Sequence, residues 1–217
     1  MTRIRMVVAD DHTLFRAGIA MLLESQVDLE LVGTAATGIE AVEVVVRTRP
    51  DVVLMDIRMP DLDGIRATAR IVAAGIEPAP RVLVVTTFRR DEAVAEAIRA
   101  GASGFVMKDA EPEFLLSAIR TVHAGRAVIA PAETFDLFRH FGRAQRPVDD
   151  TALDPLSVRE KEIFLLTAKG CSNAEIAAQA FVSETTVKSH VSSILLKLGL
   201  TSRVQIVAFA WERGLVG

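Results

Sequence analysis

From Ile4 to about residue 125, short apolar runs alternate with longer amphipathic stretches, and this alternation decides what that half of the chain can become. The runs read as strands over roughly 4–9, 29–35, 52–55, 81–86 and 104–107. Stretches of helical period lie between and after them, at roughly 13–24, 39–47, 65–74, 91–100 and 111–124. The strands are apolar almost without interruption rather than alternating, so both faces of their sheet are covered. Five strand–helix units of this length predict an α/β fold with a five-stranded, doubly wound parallel sheet and right-handed crossovers. An antiparallel α+β domain is the alternative, and the regular spacing argues against it.

After residue 125 no strand pattern returns. Residues 131–141 read as a short helix and 142–155 as a polar linker with Gln145, Arg146, Pro147, Asp149, Asp150 and Asp154. Four helical segments follow. Ser157 with Glu160, Ser172 with Glu175 and Ser202 with Gln205 each match a capping box, in which two side chains satisfy free amides at a helix start. Ser183 can cap a helix over roughly 184–198, and Gly170 and Gly199 are placed to close the first and third helices. The last helix is expected over roughly 203–213. The expected organisation is a first domain at 1–125, a linker at 126–152 and an all-α four-helix domain at 153–217.

Composition narrows the function classes. No run of about 18 apolar residues exists, so no membrane span is expected. The first residues enter a strand-like run directly, unlike a secretory signal. The single cysteine, Cys171, allows no internal disulfide and fits a reducing, cytoplasmic setting. The net charge of −3 does not mark a nucleic-acid binder. It is uneven, however: residues 1–130 carry 15 basic and 18 acidic groups, and residues 151–217 carry 7 and 6.

The strand ends carry the chemistry. The first run ends on Asp10-Asp11, the third on Asp56, the fourth on Thr86 and the fifth on Lys108. Parallel strands bring their carboxyl ends to one edge, and ligands bind there where the strand order reverses. Crowded carboxylates repel one another, and a hard divalent cation such as Mg²⁺ relieves that repulsion. Such a site suits phosphoryl transfer onto a carboxylate, with Asp56 the best nucleophile and Asp10 and Asp11 the better metal holders. Lys108 offers a mobile charge and Thr86 a hydroxyl donor. Taken singly, a strand-end Asp is an ordinary turn former; the set of strand ends is what points to a site.

These pieces resemble the receiver domain of bacterial response regulators. The resemblance rests on Val8-Ala9-Asp10-Asp11-His12, Leu54-Met55-Asp56-Ile57-Arg58-Met59-Pro60, Asp63-Gly64, Thr86-Thr87 and 101–108, ending in Phe105-Val106-Met107-Lys108. It implies the strand order 2-1-3-4-5. It also implies that Asp56 accepts phosphate from a sensor histidine kinase. Asp10, Asp11, Asp56 and the backbone carbonyl of Arg58 would bind Mg²⁺. Thr86 and Phe105 would form a switch pair, with Lys108 bonding the phosphoryl group. His12 beside acids raises the question of zinc, but a zinc site would want more His or Cys.

In the second half, helices at roughly 172–180 and 184–198 around Phe181-Val182-Ser183 fit a helix-turn-helix. Val187, Val191, Ile194, Leu195 and Leu198 make one apolar face of the second helix, and Lys188, Ser189, Ser192 and Ser193 fall elsewhere on the wheel. A helical interaction module without DNA is the alternative that amphipathicity leaves open. Residues 156–162, 170–177, 182–191 and 197–200 resemble the LuxR-type helix-turn-helix. With the receiver, this makes the chain similar to NarL/FixJ-family response regulators. The resemblance implies promoter-DNA contacts from Thr186, Lys188, Ser189, His190, Ser192 and Ser193. Relatives commonly carry a basic residue where Ser193 stands. The implied partners are a sensor histidine kinase, promoter DNA, a second copy of the chain after phosphorylation, and RNA polymerase, with no membrane.

Three functions compete. The leading one is a transcription factor switched by phosphorylation, with no enzymatic activity beyond self-directed phosphotransfer and dephosphorylation. A Mg²⁺-dependent phosphohydrolase with an aspartyl nucleophile needs a second acid two residues beyond a first-strand nucleophile, and Asp10 and Asp11 are adjacent instead. A regulator acting only through protein contacts is the third.

Overall fold

The computed structural model describes residues 3–87, 91–125 and 150–216. The chain divides into two compact units, Met1–Ile129 and Ala130–Gly217. The first unit holds β1 (Ile4–Ala9), β2 (Leu29–Ala35), β3 (Val52–Asp56), β4 (Arg81–Thr86) and β5 (Gly104–Met107). Its helices are α1 (Thr13–Glu24), α2 (Gly38–Thr48), α3 (Gly64–Ala73), α4 (Asp91–Arg99) and α5 (Pro112–His123). The sheet order is β2-β1-β3-β4-β5, all parallel, so the expected doubly wound topology holds.

Alternate side chains of each strand enter different cores. Met6, Val8, Leu54, Leu83 and Val85 pack with Ile19 and Leu23 of α1 and Leu115 and Ile119 of α5. Val7, Ala9, Val53, Met55 and Val84 pack with Val45 of α2, Ala67 and Ile71 of α3, and Ala97 of α4. All five residues of β3 are buried, which accounts for the unbroken apolar runs. The order reverses between β1 and β3, leaving a crevice at their carboxyl ends.

Small differences from the expected boundaries have local causes. Asp56 closes β3 as its last residue instead of following it. Thr37 accepts from the Glu40 amide, so α2 begins at Gly38, one residue early. Pro112 opens α5, where a missing N–H costs nothing. Gly64, at the start of α3, approaches so closely that a Cβ there would lie 1.8 Å from the Asp56 carbonyl oxygen.

The second unit is helical as expected: α6 (Val158–Ala168), α7 (Asn173–Ala180), α8 (Glu184–Leu198) and α9 (Arg203–Glu212). Ile163, Phe164, Ile176, Val187, Ile194 and Ile206 form its core, and Phe164 meets Phe209 edge to face with centroids 6.0 Å apart. Two expectations need correction. The polar linker does not extend to Pro155, because Asp150–Leu153 forms a 3₁₀ turn and Leu153 and Leu156 are buried in this core. The capping boxes at Ser157 and Ser172 are complete, but the one expected at Ser202 is not. Ser202 accepts from the Gln205 amide, while the Gln205 side chain accepts from the Thr201 amide instead. The short helix expected at 131–141 lies outside the described residues. Among the described residues, no single helix is long and apolar enough to cross a membrane.

Candidate functional site

At the crevice, Asp10 follows β1 and Asp56 ends β3, and only 2% and 4% of their surfaces are exposed. The Lys108 amide donates to the Thr86 carbonyl, continuing the β4–β5 ladder by one step. That places the Lys108 ammonium 2.6 Å from Asp10 Oδ2 and 2.8 Å from Asp56 Oδ2. Thr86 is buried at the end of β4. Phe105 is half-buried, opposite Val84 in the ladder, and packs on the core that faces α2, α3 and α4. The Arg58 backbone amide bonds the Asp56 carboxylate, while its side chain stands exposed.

Burial pushes the Asp56 carboxyl above the usual carboxylate range, and Asp10 adds to that push. The Lys108 ammonium and the Arg58 amide pull it back without cancelling the rise. Burial also acts to lower Lys108, but its bonds to Asp10 and Asp56 outweigh burial and hold it above its ordinary value. One ammonium therefore serves two buried carboxylates, and negative charge is left over at the sheet edge.

Asp11 is exposed, and its Oδ1 lies 2.8 Å from His12 Nδ1; the His12 amide donates to Asp10 Oδ1. Ligand atoms of Asp10, Asp11, His12 and Asp56 all lie within 4.8 Å of one another. Such an oxygen-rich set fits a hard cation of the Mg²⁺ type, and a lone imidazole does not make it a zinc site.

The sequence did not disclose three features of this corner. Lys108 bonds Asp10 as well as Asp56. Arg16 donates to the Asp10 carbonyl. The Lys108 Nζ stands 4.7 Å from the centre of the Phe15 ring. Phe15 lies four residues beyond Asp11 on a helix with core-like spacing, so it reads as packing alone.

In the second unit, α8 exposes Thr185, Lys188, Ser189 and Ser192, residues at helical spacing on one face. Thr185 was not expected there, though its spacing from Lys188 and Ser189 is the signal that would have found it. Thr186 and His190 are half-buried, and Thr186 bonds the Ser183 hydroxyl. Ser193 departs from the expected outward group. Its hydroxyl donates to Glu160 Oε1 at 2.6 Å, and Lys197 Nζ lies 2.7 Å from Glu160 Oε2. Glu160 is buried, also accepts from the Ser157 amide, and is held well below the usual carboxylate range, first by Lys197 and then by Ser193.

Residues 6–120 match the response regulator receiver domain, and residues 154–210 match the bacterial regulatory proteins of the luxR family. The chain belongs to the NarL/FixJ response regulators, two-component transcription regulators that join a receiver to a LuxR-type DNA-binding domain. Its relatives include the oxygen regulatory protein NreC of Staphylococcus aureus (strain JH9), 40% identical over 216 residues that cover 98% of this chain and 99% of that one. The uncharacterized transcriptional regulatory protein YhcZ of Bacillus subtilis (strain 168) is 39% identical over 213 residues, 98% of each chain. Among solved structures, the response regulator ChrA of a heme-sensing two-component system is 34% identical, with a TM-score of 0.54 over the whole of both chains. The RcsB–DNA complex, at 22% identity and a TM-score of 0.56 over 97% of this chain and 99% of that one, shares the fold.

Proposed function

We propose that this regulator is switched by Mg²⁺-dependent phosphorylation of Asp56 by a sensor histidine kinase, and that the switch controls dimerisation and promoter binding. The observation that carries the reading is the buried Asp56 carboxylate held beside Asp10 by one ammonium that bonds both. Asp10, Asp11, Asp56 and the Arg58 carbonyl are the residues to hold Mg²⁺, with His12 fixing the Asp11 carboxylate. When bound, the ion supplies coordination of phosphoryl oxygens and offsets the crowded negative charge. Asp56 supplies the attacking oxygen. Lys108 transfers one of its bonds to the incoming phosphoryl group, and Thr86 donates its hydroxyl to a second phosphoryl oxygen. Phosphorylation adds about −1.5 to −2 charges and three acceptor oxygens, enough to draw Thr86 forward and let Phe105 take up the space behind it. The activity is self-directed phosphotransfer and dephosphorylation.

The receiver is assigned to residues 1–125, the linker to 126–152 and the DNA-binding domain to 153–217. In the last, Lys188, Ser189 and Ser192 are the DNA contacts, joined by Thr185; Thr186 and His190 flank them. Ser193 serves the fold through Glu160 more than it serves DNA. Promoter DNA, a second copy of the chain and RNA polymerase are the partners of the active form. The test is labelling by acetyl phosphate, read by intact mass. The wild-type chain should gain one phosphoryl group only when Mg²⁺ is present, and Asp56→Asn should gain none. A labelled Asp56→Asn chain would overturn the assignment.

A further inference from the structure

We propose that Phe15 is a positioning residue for phosphoryl transfer, steering the Lys108 ammonium between Asp56 and the phosphoryl group. This rests on the phosphoacceptor reading of Asp56. The Lys108 side chain is 9% exposed, so its head group is nearly cut off from water and its neighbours decide where it points. Two of its three N–H directions go to Asp10 and Asp56. The Phe15 ring presents its face to the same ammonium, with its centre 4.7 Å from Nζ. Phe15 also lines a small cavity with Asp10, Asp56, Ile19 and Leu115. The first turns of α1 are fastened to the site by Arg16, which donates to the Asp10 carbonyl. The ring is therefore tethered beside the reacting carboxylate and is more than a passing neighbour.

The reaction needs Lys108 to move a short way. One Asp56 carboxylate oxygen attacks phosphorus and a new O–P bond forms. The bond between phosphorus and the donor's oxygen breaks, and in the case of acetyl phosphate, acetate leaves with the electron pair. Lys108 must then give up a carboxylate oxygen for a phosphoryl oxygen while keeping Asp10. A third hydrogen-bond acceptor, at the Phe15 position, would hold the ammonium in one place. A flat π face attracts a cation without fixing its direction, and the attraction is stronger where water is excluded. The ring thus keeps the ammonium close during the exchange and leaves it free to re-aim.

The experiment measures, in the full chain, the saturating rate of Asp56 labelling by acetyl phosphate with Mg²⁺, alongside the thermal midpoint. Phe15→Leu and Phe15→Met keep an apolar side chain and remove the ring face; Phe15→Tyr keeps the face. The two ringless variants should label about threefold to tenfold more slowly than wild type at saturating donor, and Phe15→Tyr should recover most of that loss. Thermal midpoints should not follow this ranking. Wild-type rates in both ringless variants would overturn the inference, as would slow labelling in Phe15→Tyr equal to theirs. If only one ringless variant folds, it decides alone. A wild-type chain that takes no label would instead overturn the phosphoacceptor reading, and this inference with it.

Discussion

At the scale of single residues, the receiver site is a charge imbalance held in place by close packing. The Asp56 carboxyl is raised by burial, so its stabilising contribution is fully present only below the ordinary carboxyl value of 3.8 and is lost as pH rises through the folded value. The charged form of the group therefore costs stability in the folded chain. Asp56→Asn removes that charge and leaves Lys108 its bond to Asp10, so without Mg²⁺ the variant should melt above wild type. With Mg²⁺, wild type should gain about 2.7 kcal/mol at a hundred times its dissociation constant, and the variant far less. A calorimetric scan of both chains with and without the ion checks both halves. Gly64 is the other residue on which the site depends. A methyl group there would meet the Asp56 carbonyl at 1.8 Å, and backbone rather than a pliable side chain would have to give way. Gly64→Ala should cost about 1–3 kcal/mol in urea unfolding and slow the labelling of Asp56. The strand-end residues were legible because parallel strands must deliver their carboxyl ends to one edge. Phe15 was not, because an aromatic on an amphipathic helix looks the same in sequence whether it fills a core or faces a cation.

At the scale of elements, the helix α8 is held on its Ser193–Lys197 side by the start of α6. Glu160 completes the capping box with Ser157 and also receives Ser193 and Lys197 from α8. A cap signature is local, so it could be read from spacing. The second role joins residues 33 and 37 positions apart, which no short pattern encodes. The Ser193 hydroxyl thus faces a carboxylate of its own domain. Because the Glu160 carboxyl is depressed in the folded chain, its contribution is whole above the ordinary value of 4.5 and falls away as pH drops below it. The single tryptophan, Trp211, lies on α9, so its fluorescence reports this unit. The Trp211 melting midpoint of wild type should fall as pH drops below 4.5, while that of Glu160→Gln should start lower and change less. Parallel curves for the two chains would show that Glu160 is not the titrating link.

At the scale of the whole molecule, the change from strand–helix alternation to capped helices marked two units, and the core of each explains its own periodicity. What joins their behaviour is a matter of populations, which neither periodicity nor packing states. A head of nearly balanced charge, with Lys188 as the one cation among the exposed Thr185, Lys188, Ser189 and Ser192, should neutralise few phosphates. Affinity should therefore come from two heads on half-sites about one helical turn apart, about 34–36 Å. The logarithm of affinity falls with the logarithm of salt at about 0.9 per phosphate neutralised, so the slope counts heads as well as contacts. If phosphorylation acts by pairing heads, the acyl-phosphate mimic beryllofluoride should raise the solution mass to a dimer, tighten DNA binding and roughly double the salt slope. If it acts by unmasking a head that binds alone, affinity should rise while the slope and mass stay unchanged. Lys188→Ala should reduce the slope by about one per head in the paired form, hence by about two in the dimer. Measuring binding to a promoter fragment at several salt concentrations, with and without the mimic, separates a switch built on dimerisation from one built on release.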